Sequence, residues 1–390
     1  VEYRNKFRRW AGFPEMDAEL GGELALIARD EVEIARRFSR DIAFGTGGIR
    51  GRMGAGTSLI NIYTVRKATA GLARYLEGRR REEGSPAVVI AFDTRHRSDR
   101  FARETAAVLT ACGIKALVFP EPAPTPLLSF AVRLLRASAG VVITASHNPP
   151  SDNGYKVYGP DGGQITQGIA DAIIAEILRV EDELSVPAGS LATAEKSGML
   201  EWVGAEVWES YLKQLREISL AAAPWGEYSL PVRVVYTPLH GTGAVAIPRA
   251  LAAAGVRDLF PVAEQMKMDP RCPTVKSPNP EDPEVFAMAA ELGQKTQADL
   301  LLATDPDCDR LGAAVRDGQG RYVPLSGNQL GCLLLDYILA RRKELGDLPP
   351  DGIAVQTVVT SALGKAIAAA YGVETVETLT GFKYIGEVIK

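Results

Sequence analysis

Apolar positions along the chain follow two different periods. Between residues 17 and 38, Leu20, Leu24, Ile27, Ile34 and Phe38 recur at spacings of three, four and seven, which predicts an amphipathic helix lying on a domain. Residues 62–83 repeat that period and end in Arg79-Arg80-Arg81, a solvated helix end. Short β-branched runs follow at 87–92, 115–119 and 139–143. Between them lie a helix from Ser98, which can cap it, through Cys112, and a second helix from the proline-rich turn 120–126 to about Arg136. This alternation predicts a mixed or parallel sheet covered by helices on both faces. Residues 152–165 read as a hairpin turning at Gly162-Gly163, 166–180 as a helix, 181–200 as a polar surface excursion and 205–219 as a helix.

The pattern then restarts. Ala221-Ala-Ala-Pro-Trp-Gly226 reads as a domain boundary. A strand at 232–236 opens onto Thr237-Pro-Leu-His-Gly-Thr-Gly243, and a helix runs to Ala254. After a proline-rich loop at 269–284 come a buried strand at 299–303, a helix at 327–345, a strand beginning at 353–359, a helix to Tyr371 and a strand through Val376. With 390 residues, more than one hydrophobic core normally organises, this is an α/β, multidomain chain. It is divided here into residues 1–222, 223–326 and 327–390.

Composition narrows the class. The chain is 46% hydrophobic and 24% charged, which fits a soluble globular protein, and its net charge of -4 offers no long-range attraction for nucleic acid or an anionic membrane. Any anionic ligand must be held by a local site. No stretch approaches the roughly 18 apolar residues of a membrane helix, and the opening Val1-Glu-Tyr-Arg-Asn-Lys is not a secretory signal. Cys112, Cys272, Cys308 and Cys332 form no C-x-x-C pair and read as reduced thiols of a cytoplasmic protein.

Four loops carry candidate chemistry. The apolar run 139–143 stops at Thr144-Ala-Ser146-His147-Asn148-Pro-Pro150, placing Ser146 at a strand end, where open α/β sheets expose residues to ligand. Lys156, ten residues on, is close enough to steady phosphate oxygens or move a proton. Earlier, Gly45-Thr-Gly-Gly-Ile-Arg-Gly51 offers convergent backbone amides and an arginine fork for an anion, or a flexible interdomain turn. It is neither a dinucleotide fingerprint nor a P-loop. Third, Asp305, Asp307 and Asp309 alternate in Thr304-Asp-Pro-Asp-Cys-Asp-Arg310 and point to one spot if the loop curls. Two such charges about 4 Å apart repel by roughly 4 kcal/mol at an effective dielectric near 20, so a cation belongs there. All-oxygen ligands suit Mg²⁺, with Ca²⁺ or Mn²⁺ as alternatives, and Arg310 and Arg316 at the sixth and twelfth positions exclude an EF-hand. Last, Thr380-Gly-Phe-Lys383 leaves a strand with groups able to grip a polar ligand. A serine near a divalent cation, with Arg and Lys close by, suits phosphoryl transfer. Gly-x-Ser-x-Gly is absent around Ser146, which argues against a serine hydrolase.

Gly45-Thr-Gly-Gly-Ile-Arg-Gly51, Thr144-Ala-Ser-His-Asn-Pro149, Asp305-Pro-Asp-Cys-Asp-Arg310 and Gly381-Phe-Lys-Tyr-Ile385 together resemble the four ordered signatures of the α-D-phosphohexomutase superfamily, which contains phosphoglucomutases, phosphomannomutases and phosphopentomutases. The resemblance implies repeated mixed α/β domains with the active site in the cleft between them. It implies a phosphorylated Ser146, with Arg50 and Lys156 steadying phosphate and assisting proton movement and His147 supporting the site. Asp305, Asp307 and Asp309, with an oxygen on Ser146, would hold one Mg²⁺. Thr46, Arg310, Thr380, Gly381 and Lys383 would contact a sugar phosphate, with a sugar bisphosphate as intermediate and activator. The longer run Asn148-Pro-Pro-Ser-Asp-Asn-Gly-Tyr-Lys-Val-Tyr158 is most similar to the phosphoglucomutase and phosphopentomutase branch. The superfamily's C-terminal phosphate-binding domain has no counterpart in these residues, so the chain is expected to be a fragment. Rival readings are a metal-dependent phosphatase with an aspartate nucleophile, which leaves Ser146 without a role, and a sugar-phosphate-binding protein without catalysis.

Overall fold

The computed structural model describes residues 2–45, 47–83, 85–221 and 230–390, so Thr46 and all but Ala221 of the expected boundary 221–226 lie outside the described residues. The chain forms two compact units, Val1–Val207 and Trp208–Lys390, divided within the helix Ala205–Ile218.

The first unit is organised by a mixed sheet of six strands, β1 (Gly48–Arg52), β2 (Ala87–Phe92), β3 (Lys115–Val118), β4 (Ala139–Ile143), β5 (Asp152–Tyr158) and β6 (Leu200–Trp202), in the order β1-β5-β4-β2-β3-β6. Strands β4, β2, β3 and β6 pair in parallel, whereas β5 runs antiparallel to both β4 and β1. Every residue of β4 is buried, as its unbroken apolar run requires. From β2 the chain steps outward to β3 and then back across β2 to β4. Right-handed crossovers therefore put the helix Ser98–Ala111 on one face and Thr125–Leu134 on the other. The reversal creates a switch point between β2 and β4, where the loops 93–97 and 144–151 leave adjacent carboxyl ends.

Several expectations are corrected here. The stripe at 17–38 is two helices, Ala18–Ile27 and Glu31–Phe38, because the Asp30 carboxylate accepts the amides of Val32 and Glu33 and starts a new helix. All five stripe residues are nevertheless buried. They pack with a further helix, Glu2–Ala11, through edge-to-face contacts of Trp10 with Phe38 and Tyr63. Ser98 is no cap: it is the first helical residue and donates its hydroxyl to Asp93. The residues after Tyr158 turn back but build no full hairpin strand: β1 occupies that edge of β5 as far as Lys156, and the return is limited to the Tyr158–Gln164 bridge, the Ile165 amide on the Val157 carbonyl and the Gly159 amide on the Gly163 carbonyl. Residues 181–200 are no excursion either. Glu183 is buried against the Trp10 indole, Leu191–Lys196 is a helix, and Leu200 begins the edge strand β6.

The second unit repeats the plan. Strands β7 (Leu230–Thr237), β8 (Val256–Pro261), β9 (Leu300–Thr304), β10 (Leu311–Arg316) and β11 (Tyr322–Leu325) take the order β11-β10-β9-β7-β8. The helix Gly243–Ala253 leads out from β7 to β8, and Ala287–Thr296 leads back to β9, so a second switch point lies between β7 and β9. A separate parallel pair, β12 (Ile353–Thr357) and β13 (Glu374–Thr378), is joined by the helix Ala362–Ala370 over a small core of Leu339, Ala368 and Val373. Among the described residues all four cysteines are free, and no helix is long and apolar enough to cross a membrane.

Candidate active site

Ser146 stands at the first switch point. Its backbone is left-handed (φ 52°), a conformation costing a non-glycine residue roughly 1–2 kcal/mol. Its amide donates to the Thr144 hydroxyl at 2.8 Å, and its own hydroxyl oxygen lies 3.1 Å from Nδ1 of His147. The residue is 2% exposed, so this hydroxyl works in a largely desolvated setting. Arg50 reaches the same loop, donating to Oδ1 of Asn148 at 3.3 Å. Strand register explains the approach: Arg50 pairs with Gly154, and Lys156 pairs with both Gly48 and Val142, so Arg50 and Lys156 share one face of the sheet. Lys156 is 9% exposed. The pairing needs glycine at position 48 (φ 126°), where a Cβ would stand 1.9 Å from the Tyr155 carbonyl oxygen. The turn before it is closed by Gly45 and Gly48, each donating to the other's carbonyl.

Two residues beneath this loop escaped the sequence reading. Asp93 and Arg95 leave the end of β2 buried, and the Arg95 fork donates to the carbonyl oxygens of Ser146, Asn148, Pro149 and Asp152. Burial pushes the Asp93 carboxyl up, against the opposing pull of Arg95, Thr144 and Ser98. The available signal was an acidic residue and an arginine directly after a buried parallel strand, with a serine three residues later.

At the second switch point the loop after β9 does curl. The Asp305 carboxylate accepts the amides of Asp309 (3.1 Å) and Arg310 (3.0 Å), and ligand oxygens of Asp305, Asp307 and Asp309 lie within 4.8 Å of one another. Asp305 and Asp307 are wholly buried, whereas Asp309 and Arg310 are exposed. A hard, oxygen-seeking cation fits this donor set, and the three residues could hold a metal ion. Cys308, left-handed at φ 58°, lies between two of the aspartates, and burial pushes its thiol up to about 12. It stays protonated at neutral pH.

The loop after β7 supports the aspartates. Thr242 donates its amide (2.8 Å) and its hydroxyl (3.0 Å) to the Pro306 carbonyl, and Gly241 lies directly under Pro306. His240 is locked behind it, with Nδ1 on the Lys267 carbonyl and Nε2 on the Thr274 hydroxyl. The fourth expected loop leaves β13. Thr380 is exposed, Gly381 (φ 131°) precedes the helix Phe382–Ile389, and Lys383 lies in its first turn with its ammonium 4.7 Å from the Tyr384 ring centre. The structure thus gathers Ser146, His147 and Arg50 in one unit, and gathers the three aspartates with the Arg310 backbone in the other.

Three family models match the chain in order: phosphoglucomutase/phosphomannomutase alpha/beta/alpha domain I over residues 41–184, domain II over 209–318 and domain III over 326–390. A phosphoglucomutase of Staphylococcus epidermidis is 39% identical over 349 residues, covering 90% of this chain and 62% of its own length. A phosphoglucomutase of Staphylococcus aureus is 37% identical over 362 residues, covering 93% and 63%. The chain therefore spans less than two thirds of these curated relatives. Among solved structures, a protein of Thermus thermophilus assigned as a phosphomannomutase superposes with a TM-score of 0.72 at 28% identity, over 90% of this chain and 71% of that one. A phosphoglucomutase/phosphomannomutase family protein of Burkholderia thailandensis gives 0.70 at 20% identity, over 89% and 68%, a likeness of fold.

Proposed function

The chain belongs to the phosphoglucomutase/phosphomannomutase family, and on that premise we propose that it is the phosphoserine- and metal-bearing part of a sugar-phosphate mutase. The favoured reaction is interconversion of glucose 1-phosphate and glucose 6-phosphate in the cytoplasm. The names of the curated relatives support glucose over mannose or a pentose. The observation that carries the reading is the Ser146 hydroxyl, held at a switch point on a left-handed backbone with His147 Nδ1 at 3.1 Å.

In this proposal Ser146 carries a phosphoryl group at rest. A hydroxyl of the bound sugar monophosphate attacks it: the bond from phosphorus to the serine oxygen breaks and a bond to the sugar oxygen forms. The hydroxyl proton leaves to a basic group beside the site, with Lys156 in its neutral form the candidate, and a proton is returned to the departing serine oxygen, while Arg50 steadies the phosphoryl oxygens. The resulting bisphosphate turns over and returns its other phosphoryl group to Ser146. Asp305, Asp307 and Asp309 would hold Mg²⁺, which would supply charge neutralisation for phosphoryl oxygens. Thr46, Arg310, Thr380, Gly381 and Lys383 are assigned to the sugar phosphate.

Intact mass of the chain, before and after incubation with Mg²⁺ and glucose 1,6-bisphosphate, tests the reading. One phosphoryl group on the native protein and none on Ser146→Ala is expected. An unphosphorylated native chain, or equal labelling of both proteins, would overturn it.

A further inference from the structure

We propose that Arg95 is the positioning residue that holds the Ser146 loop in the geometry phosphoryl transfer needs, an inference that rests on the function proposed above. Arg95 is 5% exposed, and its fork is spent on backbone. Nη2 donates to the carbonyl oxygens of Ser146 (2.6 Å) and Asn148 (2.5 Å), and Nη1 to those of Pro149 (2.8 Å) and Asp152 (3.1 Å). A carbonyl held in this way fixes its peptide plane, so the path of residues 146–152 is set from one guanidinium. The bond to the Ser146 carbonyl opposes relaxation of the left-handed backbone at that residue, and such relaxation would swing the hydroxyl away.

The clamp is itself anchored. One oxygen of Asp93 accepts the Arg95 amide (2.9 Å) and the Ser98 hydroxyl (2.7 Å), and the other lies 3.4 Å from Arg95 Nε. Both side chains are nearly inaccessible, 3% and 0% exposed, so salt screens this pair little. Asn153, on the strand leaving the loop, donates to the Ser98 hydroxyl and the His96 carbonyl. Loop 93–98 and loop 144–153 are therefore one hydrogen-bonded body at the switch point. Lysine cannot replace this clamp, because a single ammonium nitrogen cannot serve carbonyls that two separate guanidinium nitrogens reach. The second unit uses the same placement with other chemistry: the loop after β7 grips the aspartate loop after β9 through the Pro306 carbonyl.

The test is Arg95→Lys in the full chain, read by hydrogen exchange and by phosphorylation of Ser146 from glucose 1,6-bisphosphate with Mg²⁺. Expected are exchange at residues 144–152 faster by about tenfold or more, with the helix Ile62–Glu83 unchanged. The phosphorylation rate at saturating bisphosphate should fall by about 100-fold, the order a 1 Å misplacement costs. The bisphosphate concentration for half-maximal rate should stay within about threefold, since Arg95 is assigned no ligand contact. Unchanged loop exchange, a loosened loop with a native phosphorylation rate, or protection lost equally in loop and helix would each overturn the proposal. If Arg95→Lys does not fold, Asp93→Asn, which keeps the fork and removes its counter-charge, is judged by the same criteria. A native chain that is never phosphorylated overturns the proposed function instead, and the exchange measurement still decides whether Arg95 holds the loop.

Discussion

Replacing Gly241 by alanine puts a methyl group under the aspartate loop. The added Cβ would stand 2.3 Å from Cα and 2.5 Å from the carbonyl oxygen of Pro306. Both are backbone atoms, so no side-chain rotation relieves the clash. Ordinary contact begins at 3.4 Å, which requires the two loops to separate by about 1 Å. Gly241 is not left-handed, so alanine meets no backbone strain of its own and the effect isolates the contact. Asp305 and Asp307 flank Pro306 directly, and metal-ligand distances tolerate only about 0.2 Å of error. Mg²⁺ in particular demands near-ideal octahedral geometry. The expected result is a 10- to 100-fold loss of Mg²⁺ affinity, about 1.4–2.8 kcal/mol, as is usual when the support of a metal site is disturbed. Titration calorimetry of Mg²⁺ into the native chain and the variant measures it, with thermal melting to confirm that the variant is folded. A folded variant that binds Mg²⁺ within about twofold of the native chain would refute the steric argument. A native chain that binds no Mg²⁺ would refute the metal assignment itself.

Three other outcomes are expected. Asp307→Asn removes a buried ligand charge and should weaken Mg²⁺ binding by at least about 100-fold in the same calorimetry; near-native affinity would remove Asp307 from the site. Glu183→Ala leaves the buried Trp10 indole N–H without its acceptor and removes one of the two carboxylates beside the Arg9 guanidinium. A loss of about 2 kcal/mol, or roughly 4–8 °C in melting temperature, should follow, and an unchanged melting temperature would contradict it. Acid should destabilise the first unit. Burial alone would raise the carboxyls of Asp17 and Asp41, but Arg100 and the Leu20 amide, and Lys6 with Lys67, outweigh it and hold both below their usual values. Their stabilisation is therefore complete above about pH 4 and is lost as pH falls through the lower folded values. Melting curves should be flat from pH 7 to about 5 and drop below about 4, and Asp41→Asn should shallow that drop.

What could be read from the chain and what could not divides along physical lines. The helix at 62–83 and the strand at 87–92 are placed as read, because a long amphipathic repeat and a doubly buried strand each impose an unbroken pattern. The edge strands β6 and β8 are half exposed and carry no such run, so they are recognisable only once they are paired. The break at Asp30 depends on one carboxylate choosing two backbone amides over solvent.

The candidate chemistry divides in the same way. Alternating aspartates after an apolar strand, and a serine closing another, are local features, and residue type with spacing was enough to name them. Sequence by itself thus determined which strand ends carry the candidate polar and acidic turns, because a strand end and its polar turn are specified within a dozen residues. Only the tertiary structure decided what holds them. Arg95 reads in the chain as an ordinary surface arginine, and Gly241 and Thr242 as part of a turn. Their roles follow from the parallel pairing of β2 with β4 and of β7 with β9, contacts between residues some fifty or more positions apart. Such non-local pairing has no periodic signature along the chain, yet it sets which backbone carbonyls a buried guanidinium or hydroxyl will meet.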